Sequence, residues 1–145
     1  MEVVMLRRRG AGILGAFVFS IAIWMALVCS VLAATGSEQR LIERVNQAVN
    51  REISFQSDDE QYGRDVIAVE PSSKRGDCDD YVFTKLARLF QAGFPGERMA
   101  VLRVINEKGA PHAVLVIDGD WVLDNRFAWI EHKATLERYG YRFPI

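Results

Sequence analysis

Thiols are scarce in this sequence. Of its 145 residues two are cysteine, Cys29 and Cys78, and Cys29 lies inside an apolar run, so the remainder of the chain holds a single thiol. That thiol has no second cysteine there with which to pair in a disulfide. Histidine is equally sparse, with only His112 and His132. There is no excess of positive charge, the formal net charge being −1, and so no basic face of the kind that nucleic-acid binding requires. Internal repeats and low-complexity tracts are also absent. What remains, with 50% hydrophobic and 26% charged residues, is the composition of one ordinary globular domain.

The N-terminus stands apart from that domain. Arg7, Arg8 and Arg9 precede an uncharged apolar run over residues 10–34. A basic flank followed by an apolar core is the pattern of an export signal or of a single membrane span, with the arginines left in the cytoplasm. Val31, Ala33 and Ala34 suit a signal-peptidase site, yet the run is long enough to cross a bilayer uncleaved. Residues 1–34 are therefore read as a signal peptide or an inner-membrane anchor. Residues 35–145 form an exported, periplasmic domain whose formal charge, once three arginines and one glutamate are set aside, is −3. A lone thiol in an oxidising compartment is either buried and inert or kept for its reactivity.

Cys78 sits in Gly76-Asp77-Cys78-Asp79-Asp80-Tyr81, ahead of a helical stripe of Val82, Phe83, Leu86, Leu89 and Phe90 that stops at Gly93. The first turn of a helix favours an anion and so a thiolate. Asp77, Asp79 and Asp80 oppose it by like-charge repulsion. A cationic partner or a hard cation such as calcium, which prefers carboxylate oxygens, would settle the conflict. Asp77 also suits a helix cap, and Asp79 and Asp80 are ordinary first-turn residues.

A helix carrying Leu41, Ile42, Val45, Val49 and Ile53, with Ser37 as its cap, precedes this segment, and the acidic stretch from Ser57 to Asp65 reads as a loop whose Asp58, Asp59 and Glu60 are mostly solvated surface, with cation binding as the alternative. Val66 to Val69 reads as a short extended piece. Strands are predicted over Met99–Ile105, His112–Ile117 and Trp121–Asp124, the last two joined at Asp118-Gly119. The aromatic tail after Trp129 reads as helix then strand. The order implies an α+β fold, with the cysteine helix packed on an antiparallel sheet.

A thiol nucleophile needs a base and a group that orients the base. His112, at the head of a strand, is the better placed base; His132, between Glu131 and Lys133, reads as surface. A three-residue loop Ile117-Asp118-Gly119 would set His112 opposite Asp124, and a two-residue loop Asp118-Gly119 would set it opposite Asn125. Spacing leaves both open.

Gly-Asp-Cys-Asp-Asp-Tyr with Lys85 following, then His112-Ala-Val-Leu-Val, then Val122-Leu-Asp-Asn resembles the bacterial transglutaminase-like cysteine proteinases. Arg44 to Asn50 and Tyr62-Gly63 extend the likeness. The resemblance implies a papain/transglutaminase-like core with Cys78 as nucleophile, His112 as base and Asp124 as orienter. It further implies calcium at Asp77, Asp79 and Asp80, since LapG-type members require that ion, and a protein substrate such as a surface adhesin. The same pocket would also serve a transglutaminase-type acyltransferase, or a catalytically weak, calcium-responsive peptide-binding module.

Overall fold

The computed structural model describes Trp24 and Met25, residues 36–63 and residues 70–144. The export or anchor segment over residues 1–34 otherwise lies outside the described residues, as does the extended piece expected over Val66 to Val69. Among the described residues no helix is long and apolar enough to cross a membrane. Met1–Gln39 and Arg40–Ile145 are separate compact units, and apart from the first four residues of the opening helix the second carries every element discussed below.

Helix α1 covers residues 36–52, with Ser37 already helical rather than capping. It buries Ile42 and Val49, and Ile53 just past its end is buried as well. Strand β1 (Ser54–Phe55) then pairs in parallel with β2 (Arg75–Gly76). This short pair delivers the chain to the cysteine. Between the two strands lies a difference from the loop expected over Ser57 to Asp65: α2 (Asp58–Tyr62) is a five-residue helix, closed by Gly63 at φ 63°. Asp58, Asp59 and Glu60 occupy its first turn, where carboxylates complement the helix dipole.

Helix α3 (Cys78–Gln91) starts with a capping box. Asp77 Oδ1 accepts from the Asp79 N–H at 3.1 Å, and Asp80 Oδ2 accepts from the Asp77 N–H at 3.2 Å. Gly76 makes room for this arrangement, because a Cβ there would stand 2.3 Å from Asp80 Oδ2. The helix ends in a Schellman motif: Gly93, at φ 85°, donates to Phe90 O, and Phe94 N–H to Leu89 O. Its inner face carries Val82 and Leu89 against Ala113, Leu115, Ile117 and Leu123. Each such fully buried aliphatic side chain stabilises the fold by about 1.5–3 kcal/mol.

The sheet is antiparallel in the order β3 (Met99–Ile105), β4 (Pro111–Ile117), β5 (Trp121–Leu123), β6 (Glu131–His132). Every residue of β4 after Pro111 is buried, as a central strand covered on both faces must be. On the face opposite α3, Val104, Val114, Val116 and Val122 meet Leu136 of α4 (Lys133–Arg138) and Tyr141. The tail is thus strand, then helix, then a bridge between Arg142 and Ile105, rather than helix then strand.

Both hairpin registers expected from Asp118-Gly119 are off by at least one residue. Asp118 (φ 52°) and Gly119 (φ 72°) are both left-handed, and the Asp120 N–H donates to Ile117 O at 3.1 Å. The strands, however, pair Ile117 with Trp121, so the loop is Asp118-Gly119-Asp120.

Candidate active site

A cleft of about 510 Å³ opens where the first turn of α3 meets the start of β4. Cys78 and His112 both line it, with Asp58 and Asp59 of α2, Asp77 and Asp79. Arg103 of β3 stands on the strand side.

The histidine is buried and held by a carboxylate. His112 Nε2 lies 2.9 Å from Asp124 Oδ1. An ionised carboxylate only accepts, so Nε2 carries the proton and Nδ1 is left as the basic nitrogen. β5 ends at Leu123, and the chain beyond it turns Asp124 onto the imidazole, although continued pairing would have placed Arg126 opposite His112. Asn125, the other candidate orienter, is not the group that His112 meets.

Asp124 is itself fully committed. Oδ1 also accepts from the Arg126 N–H at 2.9 Å, and Oδ2 accepts from the Tyr141 hydroxyl at 2.9 Å. Burial alone would raise this carboxyl. The hydrogen bond and charge of His112, with Arg126 N–H and Tyr141, outweigh it and hold Asp124 below the ordinary range. Asn50 Nδ2 donates to Asp124 O and to Phe127 O, both at 2.9 Å, and so ties α1 to this loop. Tyr141 lies 17 residues downstream and was read only as part of an aromatic tail; no local pattern marks it.

The thiol is half-buried and its hydrogen bond runs to Asp79 Oδ1, at 3.7 Å. Burial pushes it up to about 11. The Ala113 backbone N–H opposes the shift, while the charges of Asp77 and Asp79 and the bond to Asp79 add to it. In this state the thiol is protonated at neutral pH, the carboxylates and burial having won over the helix dipole.

The three aspartates around Cys78 divide. Asp80 groups with Asp77 and with Asp58, one carboxylate oxygen of each lying within 4.8 Å of the others. Asp79 groups instead with Asp77 and Cys78. Asp58 belonged to an acidic stretch read as mostly solvated, yet it is buried and α2 points it at the capping box. Burial, then the hydrogen bond and charge of Asp79 and the charge of Asp58, raise Asp77 to about 7. Like charges gathered on oxygen-only donors fit a hard divalent cation, which would relieve that repulsion.

His132, by contrast, is exposed, bonded to Asp120 at 2.7 Å and stacked on Trp121. Lys85 is unusual. Its Nζ is buried on α3 without a hydrogen-bond partner among the described residues, 5.9 Å from the centre of the Tyr81 ring.

The model of the bacterial transglutaminase-like cysteine proteinases matches residues 27–143. Among solved structures the fold resembles Legionella pneumophila LapG. The EGTA-treated form has a TM-score of 0.60 at 18% identity, covering 71% of this chain and 59% of that one. The calcium-bound form has a TM-score of 0.58 at 20% identity, covering 66% and 57%. This chain therefore spans about three fifths of the length of the solved proteins it matches. No curated protein matches it.

Proposed function

Because the chain belongs to the bacterial transglutaminase-like cysteine proteinases, with residues 27–143 matched, we propose that it is an exported thiol peptidase using Cys78, His112 and Asp124. The observation that supports this most is the buried His112–Asp124 pair, with Nδ1 left basic, in the cleft that Cys78 lines. His112 Nδ1 takes the thiol proton and Sγ attacks the amide carbonyl of a protein substrate. The imidazolium returns that proton to the leaving amine, which departs and leaves a thioester on Cys78. His112 then deprotonates a water that hydrolyses the thioester, freeing the thiol. The backbone N–H of Cys78, at the first position of α3 and without a partner among the described residues, is a donor for the oxyanion.

Asp58, Asp77 and Asp80 would hold calcium, beside Asp79. When bound, the ion supplies positive charge that offsets the carboxylates now raising the thiol. The thiol must also leave Asp79 for His112 before it can react. The apolar run over residues 10–34 would export the domain to the periplasm or hold it at the inner membrane, where the substrate would be a surface protein such as an adhesin.

Hydrolysis of a mixed peptide library by the full chain in calcium, against Cys78→Ser and His112→Ala, tests the reading. Activity surviving in Cys78→Ser would refute it. Peptide binding that survives Cys78→Ser, with no cleavage by the native chain, would favour the peptide-binding module that the raised thiol and its bond to Asp79 would suit.

A further inference from the structure

A second groove, of about 400 Å³, adjoins the cleft and shares Arg103 and Pro111 with it. Arg103 on β3 and Arg142 on the closing segment both line this groove, and no carboxylate does. Both side chains belong to exposed residues. Among the described residues neither makes an ion pair or a side-chain hydrogen bond. That separates them from Arg88, Arg98 and Arg126, each of which is held by a carboxylate.

The acidic residue closest in the chain to this groove is already engaged. Glu107, in the turn after β3, is clasped by both terminal nitrogens of Arg126. The arginines are also presented by a fixed framework. Ile105 N–H donates to Arg142 O at 3.0 Å and Arg142 N–H to Ile105 O at 2.8 Å, which pins the closing segment to β3. Buried Val104 and half-buried Phe143 supply an apolar wall to the groove beside the two arginines.

The two ends of the combined channel thus differ in charge. Asp58, Asp59, Asp77 and Asp79 lie on the nucleophile's side, whereas the arginine pair lies beyond the strand side. An extended peptide advances about 3.3 Å per residue. A peptide passing Cys78 and running over Arg103 would bring a side chain a few residues from the scissile bond into the groove that Arg103 and Arg142 line. We propose that the Arg103–Arg142 groove is a substrate subsite that selects an aspartate or glutamate at that position. This inference rests on the proteinase reading. Guanidinium forks match a carboxylate with paired hydrogen bonds, and two of them without an internal partner leave that demand to the ligand.

The test is cleavage of a proteome-derived peptide library by the full chain in calcium, with the cleaved bonds read by mass spectrometry. The native chain is expected to enrich Asp and Glu about tenfold at one fixed position near the cleaved bond. Arg142→Gln should abolish the enrichment, Arg142→Glu should replace it with Lys and Arg, and added salt should weaken it. Cleavage with no acidic preference, or a preference unchanged in both Arg142 variants, overturns the subsite and leaves the proteinase standing. If the native chain cleaves nothing, the proteinase reading fails instead. A labelled Glu-Gly repeat peptide and its Gln-Gly twin, bound to Cys78→Ser, then decide the groove alone. Equal affinity refutes it, and tighter binding of the acidic twin that is lost in Arg142→Gln supports it.

Discussion

Tyr141 donates its hydroxyl to Asp124 Oδ2 at 2.9 Å, on the side of the carboxylate away from His112. The bond links the last bridged segment of the chain to the group that orients the imidazole. Tyr141→Phe keeps the ring's packing and removes only this bond. Losing one hydrogen bond to a buried charge costs about 1.5 kcal/mol, so kcat/KM should fall roughly tenfold. Steady-state rates on a peptide substrate check it. An unchanged rate would show that His112 and Arg126 hold Asp124 without help.

Asp77 ties stability to pH and, through the proposed site, to calcium. Its folded pKa of about 7 lies above the ordinary 3.8, so the folded chain binds this proton more tightly than the unfolded one. The contribution favours folding at low pH and is lost as pH rises through 7. In a chelator the melting midpoint should therefore be lower at roughly pH 8 than at roughly pH 5. Calcium held at the proposed site would compete with that proton and bind only the folded chain, and so should raise the midpoint more at the higher pH. A calcium shift equal at both values, or absent, would contradict a site at Asp58, Asp77 and Asp80.

Lys85 carries the opposite sign. Burial brings it down to about 7 from 10.5, against the pull of the Asp124 charge. The unfolded chain holds the proton more tightly, so the cost of burying this lysine is full below pH 7 and fades as pH rises towards 10.5. Replacing a buried, unpaired charge by an apolar side chain of similar length is commonly neutral or stabilising. Lys85→Met should raise the melting midpoint by several degrees at roughly pH 6 and by little at roughly pH 10. Destabilisation at both values would mean that the ammonium is tied to the protein through internal water.

The parts of this architecture that were legible in the sequence are those with a local cause. The stripe from Val82 to Phe90, the capping aspartate and Gly93 define α3 because each acts within a turn or two of itself. The unbroken apolar run from Ala113 to Ile117 marks the central strand for the same reason. The hairpin turn was visible at Asp118-Gly119, but its register was not, since Asp120 adds a residue that no turn rule counts. Asp124 reaches His112 by leaving the strand rather than by pairing across it. Asp58 was legible only as the lesser reading of an acidic stretch, and Tyr141 not at all as a member of the site, because their positions are set by α2 and by the bridge to β3. A five-residue helix of Asp, Asp, Glu, Gln and Tyr has too few apolar residues to announce itself.

The most direct test of the central claim is the rate of alkylation of Cys78 against pH, in calcium and in a chelator, for the native chain and for His112→Ala. The account predicts that in chelator the thiol titrates near 11 and barely reacts at neutrality. In calcium the apparent pKa should drop below the free-cysteine value of about 8.5, and His112→Ala should abolish that drop. A thiol that stays near 11 whatever the calcium and whatever stands at position 112 would make Cys78 a structural cysteine and contradict the account.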